Sequence, residues 1–374
     1  RYVSETKFVL NEDISGSLTG EYLIDSIPVV MLPDLALNIG EQTWISGDKP
    51  VTLELHPDHY VIGGFRLSNS DTTKVQFVDI DGAISPESDQ DLTLRLRGID
   101  LSAVARHFDL PIEMAGQVSV DASLTGTLDN PEIAGASSLT DGRIYEYDFE
   151  SLGGQFSIRD SLLELDYTLI VQEPESLTVE GQLPLHTFLD TAQSLGATHA
   201  PMDIDITSHR FKLDILRLAG YSVKEADGDL DIQLHAYNSL DDPRLEGTVE
   251  VARGTVQVPD WGVDFTDMAA RLTLDSSRAT LERLFAKRDK DSLVVSGFVD
   301  FADGIMSGQF SQLEFMLKAN NLWLVRHKDY EIRTDADVTL SGDTKQTTYG
   351  GAIRIIRSSF SLPALMDEST SANH

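Results

Sequence analysis

His56-Pro57-Asp58-His59 is the densest group of metal-capable side chains in the 374-residue chain. Two imidazoles and a carboxylate within four residues are ligand types that zinc takes, so the segment is a candidate partial metal site. A polar turn between two strands is the plainer reading and outweighs it. Asp227-Gly228-Asp229-Leu230-Asp231 has the look of a calcium loop, but its glycine is misplaced for an EF-hand and no bidentate Glu closes a twelve-residue loop. Asp229 and Asp231 alternate with Leu230 and Ile232, as Asp203 and Asp205 do with Ile204 and Ile206. That spacing puts the carboxylates on the solvated face of strands, and it demotes any pair of them as a glycosidase acid and nucleophile.

The signatures G-x-S-x-G, G-x-x-x-x-G-K-[ST], H-E-x-x-H and G-x-G-x-x-G are absent, which lowers the case for a hydrolase, a phosphate loop, a zinc protease or a dinucleotide site. The chain contains no cysteine, so disulfide scaffolds, thiolate zinc and cysteine catalysis drop out together. No catalytic residue, metal or cofactor is therefore assigned, and the expectation is a protein that is not an enzyme.

The 29 Lys and Arg against 61 Asp and Glu leave a net charge of −32, which argues against nucleic acid or an anionic membrane surface as partner. There are 40 Asp to 21 Glu and 19 Arg to 10 Lys. Asp favours turns and caps over helix interiors, so the bias fits a turn-dense all-β chain; salt adaptation is a second, compatible cause. A hydrophobic share of 41% excludes wholesale disorder. The apolar run Ile27 to Leu32 is interrupted by Pro28 and followed by Pro33 and Asp34, and no window is long enough to cross a bilayer as a helix. The chain opens on Arg1-Tyr2 without a Met or an apolar signal core, which reads as a piece of something longer with any membrane anchor outside it. The polar tail 367–374 is expected to be disordered.

Period-two alternation dominates the elements that would position any site. Leu92, Leu94 and Leu96 alternate with polar residues, as do Leu163, Leu165, Tyr167 and Leu169; the pattern returns through Leu230-Ile232-Leu234, Leu272-Leu274, Leu293-Val295 and Ile353-Ile355. One face of each strand is apolar and the other wet, the mark of antiparallel or coiled sheet solvated on one side. Helical spacing is confined to short pieces: Leu101 to Phe108, Leu213 to Leu218, Leu322 to Val325 after Asn321, and the stretch His186 to Thr198.

A repeat lies over this alternation. Gly116, Pro131, Gly135 and Gly142 recur at Gly228, Pro243, Gly247 and Gly254, each displaced by 112 residues, and a third copy runs from Ala336 through Gly342 and Gly351 to Ile355. Units that cannot cover their own apolar face stack on their neighbours and extend a continuous sheet. Pro131 and Pro243 mark turns, and mid-strand Gly181 and Gly297 leave room for a bend. The boundaries that follow are a leading partial repeat over 1–91, repeat modules over 92–203 and 204–311, a truncated module over 312–366, and the tail.

The frame Gly116-x-Val118-x-Val120, Gly126, Asn130-Pro131-x-x-x-Gly135, Asp141-Gly142-x-Ile144, answered by Gly228, Asp242-Pro243-x-x-x-Gly247 and Gly254-x-Val256, resembles the TamB family of double-membraned bacteria and its AsmA-like and bridge-like lipid-transfer relatives. Leu101-Ser102 is similar to that family's connecting helix. The resemblance covers about Leu92 to Pro363, and more loosely Ile14 to Gly82. The third copy departs from it, with Thr347-Thr348-Tyr349 in place of the Asn-Pro turn. The resemblance implies an elongated all-β repeat fold, the β-taco: a sheet folded into a U with an apolar inner groove, carrying a few short helices. It also implies a periplasmic location, an inner-membrane anchor outside the segment, phospholipid acyl chains as cargo, and a BamA-like outer-membrane partner of the TamA type docking elsewhere.

The functional expectation is a segment of a periplasmic lipid conduit between inner and outer membranes, or a support for outer-membrane protein assembly. The residues assigned to its groove are Leu163, Leu165, Leu177, Val179, Leu183, Ile204, Ile206, Ile232, Leu234, Leu293, Val295, Val299, Phe315 and Leu317. About 15 to 25 strands at ~4.8 Å would give a trough on the order of 70 to 120 Å. A sealed core, as in a closed β-helix adhesin or autotransporter passenger, uses the same alternation and stays open as an alternative, with a β-helical polysaccharide-active enzyme behind it.

Overall fold

The computed structural model describes residues 1–9, 14–40, 42–70, 73, 75–102, 113–145, 147–184, 201–215, 225–239, 242–258, 263–288, 290–302, 304–305, 308–326 and 330–360. They form 23 strands of antiparallel sheet. The first eight are β1 (Tyr2–Val9), β2 (Ile14–Leu23), β3 (Val29–Ile39), β4 (Gln42–Ser46), β5 (Val51–Leu55), β6 (Tyr60–Asn69), β7 (Phe77–Ile84) and β8 (Asp91–Asp100). Next come β9 (Met114–Gly126), β10 (Pro131–Ile144), β11 (Tyr147–Arg159), β12 (Leu162–Gln172), β13 (Glu175–Pro184), β14 (Met202–His209), β15 (Phe211–Lys212) and β16 (Glu225–Asn238). The last are β17 (Arg244–Val258), β18 (Val263–Asp275), β19 (Arg278–Arg288), β20 (Asp291–Phe301), β21 (Phe310–Arg326), β22 (Tyr330–Gly342) and β23 (Thr347–Phe360).

Two compact units divide the chain: Arg1–Val171 with Glu180–Ala200, and Gln172–Val179 with Pro201–His374. In the first, β1, β2 and β3 pair in sequence, β3 pairs with both β4 and β5, both of these pair with β6, and the ladder then runs on in order to β12. In the second, β14 and β15 both pair with β16, and the ladder continues in order to β23. Most strands thus meet a chain neighbour, the connection that short polar turns allow, while β3–β5, β4–β6 and β14–β16 each skip one strand.

Cross-strand register turns the alternation into rows. In the first unit Gly82, Leu92, Leu124, Ile133, Ile158 and Leu163 are successive partners, and beside them Ile80, Leu94, Ala122, Gly135, Phe156 and Leu165. A one-residue slip would move every member to the wet face, so the pattern itself fixes the register. In this unit Leu35, Trp44 and Leu67 are buried and gather Leu18, Leu37, Phe65, Val78 and Ile99 around them. In the second unit a smaller core joins Phe265 and Ala286 to Met268, Leu293, Leu322 and Trp323.

The 112-residue repeat is written in the backbone. Gly116 and Gly228 have φ of 130° and 140°, Gly126 and Asn238 71° and 77°, Asp141 and Arg253 50° and 53°. Register shifts accompany the first and third of these pairs, so the bulges recur with the sequence. At Gly297 a Cβ would overlap the Glu314 carbonyl oxygen and the Phe315 Cα, a strand approach that only glycine permits. Pro131 opens β10, where no ladder donor is lost.

Two expectations change. Leu322 to Val325 lies in β21, not in a helix. Asn321 adopts φ 55° and the ladder slips between Ala319 and Leu322; that bulge shifts the apolar phase and imitates helical spacing. In the third copy the turn is Asp343 to Gln346, upstream of Thr347: the Asp343 carboxylate accepts from the backbone N–H of Lys345 at 2.7 Å and of Gln346 at 2.8 Å, doing the work of the missing Asn-Pro. Leu101 and Ser102 have helical backbone and residues 213–215 make one tight turn, but the rest of those two pieces, the stretch His186 to Thr198 and the tail lie outside the described residues.

Cross-strand ion pairs line the wet face. Arg271 sits 2.7 Å from Glu250 and 3.4 Å from Glu282. Arg278 donates to Asp300 from Nε at 2.6 Å and Nη2 at 2.8 Å, its guanidinium lying over the Phe298 ring. The Arg278 hydrogen bonds hold the Asp300 carboxyl below its ordinary 3.8. A depressed carboxylate contributes stability that is present above the unfolded value and lost as pH falls through the folded one. A carboxyl-carbon NMR titration should therefore place the Asp300 midpoint below 3.8, and Arg278→Ala should move it upward; an unmoved midpoint would discard the pair.

Candidate functional site

The second unit carries most of the residues assigned to an apolar groove, and register brings them together. One row runs Ile206, Leu234, Gly247, Leu274, Ala279, Val299, Leu313. The next runs Ile232, Val249, Leu272, Leu281, Gly297, Phe315, Leu340. A third runs Leu230, Val251, Ala270, Leu284, Val295, Leu317, Val338. Leu293 pairs with Ala286 and Ala319 in a row that enters the small core, and Ile204 pairs with Ala236. Leu177 and Val179 lie on β13 in the same unit; Leu163, Leu165 and Leu183 belong to the first unit.

Exposure separates these residues from an ordinary core. All but Leu183 are half-buried, whereas Leu183 is 6% exposed. A packed interior of such side chains would be close to dry. The rows instead form an apolar surface of which water or another apolar body covers the remainder.

A second feature arises where the ladder on β16 breaks. β14 pairs with β16 from Asn238 to Gln233, and β15 takes over at Leu230 and Asp229. Across the gap the Ser208 hydroxyl replaces the missing strand: it donates to the Leu230 carbonyl at 3.0 Å and accepts from the Ile232 N–H at 2.7 Å. Arg210 turns the chain with φ 49°, after which Phe211 and Leu213, 1% and 2% exposed, anchor the new strand. The jog opens a cavity of about 620 Å³ lined by Pro174, Glu175, Ser208, His209, Arg210, Lys212, Asp229, Leu230, Asp231 and Arg253, all in the second unit.

Charges in the cavity are largely matched. Lys212 Nζ lies 3.5 Å from Asp229, 3.9 Å from Glu175 and 3.9 Å from Asp227, and Arg253 pairs with Asp229. The Arg253 hydrogen bond pulls the Asp229 carboxyl below its ordinary value. It is thereby kept ionised and unsuited to act as a general acid.

His56 to His59 form the turn between β5 and β6, as the plainer reading of the segment expects. His56 and His59 stack with ring centroids 4.2 Å apart, but each turns to its own carboxylate, Glu54 at 3.0 Å and Asp58 at 2.9 Å. Among the described residues, three metal-capable groups converge at Asp203, Asp205 and His235, with ligand atoms within 4.8 Å of one another. His235 Nδ1 is 2.8 Å from Asp205 and its ring stacks on Tyr237. The three sit on the wet face and are accounted for by cross-strand pairing.

No family model, curated protein or solved structure matches the chain. Among the described residues no helix is long and apolar enough to cross a membrane.

Sequence reasoning placed Asp229 and Asp231 on a solvated face and did not single out Glu175, Arg210, Lys212 or Arg253. A signal exists nonetheless. The apolar phase is even at Ile204 and Ile206 and odd at Phe211 and Leu213, so a strand break must fall between them.

Proposed function

We propose that this chain is a segment of a lipid conduit whose apolar rows receive phospholipid acyl chains, in the manner of the TamB-type periplasmic proteins its repeat resembles. The observation that carries the reading is that Val295, Leu317, Phe315, Val299, Ile232 and Leu234 are half-buried, not fully buried, in rows that continue from strand to strand. A sealed β-helix core would bury these side chains; an acyl chain laid along them removes the remaining apolar area from water, at about 25 cal/mol per Å². Because each row repeats the same chemistry at every strand spacing, a chain moving across strands meets no large change in free energy, and no catalytic residue is required. The acidic wet face repels anionic headgroups.

The test is mass spectrometry of an organic extract from natively purified protein. Phospholipid at a stoichiometric level is expected. Folded protein whose extract holds no more lipid than a charged-row variant would overturn the proposal in favour of a sealed core.

A further inference from the structure

We propose that the cavity at the β14–β15 break is a binding site for a zwitterionic headgroup, one phosphate and one ammonium, of the phosphoethanolamine type. The inference rests on the lipid reading and deepens it by naming the polar end of the cargo. Once Lys212 has satisfied Glu175 and Asp229, and Arg253 has met Asp229, one cation and one anion lining the cavity have no ion-pair partner among the described residues: Arg210 and Asp231. A lone guanidinium and a lone carboxylate in one cavity complement a ligand carrying both charges; a simple anion would meet Asp231 unfavourably, and a simple cation Arg210. Guanidinium matches phosphate oxygens in a bidentate fork, and His209 adds a second donor on the same rim.

Backbone geometry supports a built feature. Arg210 turns the chain at φ 49° where β14 gives way to β15, and the bulge at Arg253 brings that side chain to the same rim. The volume, about 620 Å³, lies in the range of small-ligand pockets. Its position also suits a lipid. Leu230 lines the cavity and shares its strand face with Ile232 and Leu234, and Glu175 shares its face with Leu177 and Val179. Asp229 and Asp231 line the same cavity from the opposite, wet face of β16, so its lining draws on both faces of the strand at the ladder break.

The full chain is titrated by calorimetry with glycerophosphoethanolamine, inorganic phosphate and an anionic oligosaccharide, alongside Arg210→Gln and Asp231→Asn, both exposed positions. Lipid classes in the organic extract are compared in parallel. Saturable binding of glycerophosphoethanolamine that weakens about tenfold or more in each variant is expected. The extract of Arg210→Gln should keep its total lipid and lose its enrichment in the zwitterionic class. Inorganic phosphate binding as tightly as the headgroup, the oligosaccharide binding in its place, or both variants binding like the parent would each overturn the proposal. Headgroup binding with a lipid-free extract would uphold the site and sink the conduit, whereas lipid in the extract with no headgroup binding would do the reverse.

Discussion

Under the conduit reading proposed above, Val295→Arg is expected to abolish phospholipid in the extract of natively purified protein while leaving its far-ultraviolet circular dichroism unchanged. Val295 stands in the middle of a row between Leu284 and Leu317, where a cationic side chain would have to lie against acyl methylenes. Placing Arg in such surroundings costs roughly 2.5 to 3.5 kcal/mol on insertion scales, which is about two orders of magnitude in occupancy. The fold should tolerate the change because the site is half-buried and a long basic side chain can carry its charge to water. Ser296→Arg, one residue along and on the opposite face, pairs with exposed Met316 and should leave lipid content at the parental level. Equal lipid loss in the two variants would refute a face-specific groove, and retention in both would refute occupancy of that row.

Asp291→Ala should produce the largest loss of stability of any single change in the second unit, about 3 kcal/mol or more. Asp291 is 3% exposed. Its carboxylate accepts from Arg333 Nη2 at 2.5 Å and from Asn321 Nδ2 at 3.0 Å, while Arg333 Nε donates to the Asn321 carbonyl at 2.8 Å. Three strands are tied at this point: β20 supplies the acid, β21 the bulged Asn321, and β22 the arginine, whose guanidinium lies 4.9 Å from the Trp323 ring centroid. Asp291 is the ion-pair partner of Arg333 among the described residues, so removing the carboxylate leaves a part-buried cation without it. Urea denaturation followed by tryptophan fluorescence checks the prediction, and Asp291→Asn, which keeps an acceptor, should recover part of the loss. A midpoint unchanged in Asp291→Ala would mean that the clamp contributes nothing net.

Strand content and register were legible because one apolar face imposes a period of two, and the eye can follow Leu92, Leu94, Leu96 or Leu163, Leu165 directly. The repeat was legible through glycine and proline, residues whose backbone demands survive when side chains drift. What hid were the places where the chain changes phase. Leu322 was read as helical since a bulge at Asn321 and a helical turn both return an apolar residue after three positions. The cavity was missed for a related reason: Arg210, Lys212 and Arg253 are separated by up to 43 positions in the chain, and only a strand break together with a bulge at Arg253 brings them to one rim. Nor can alternation report coverage. Val295 reads the same whether its neighbour is protein, lipid or water.

The outermost strand, β23, pairs with β22 and leaves its other backbone edge without a partner among the described residues. Its apolar side continues the rows, with Tyr349 86% and Ile353 64% exposed, and Arg354 and Arg357 are the charges that discourage unwanted pairing there. Nothing in the hydrogen-bond pattern marks β23 as a last course of bricks. Another hairpin laid in the same register would find its pairing groups and its apolar neighbours already waiting. For such a scaffold, reach is a dial that gene duplication can turn in increments of one strand spacing, and selection can act on span while leaving chemistry alone.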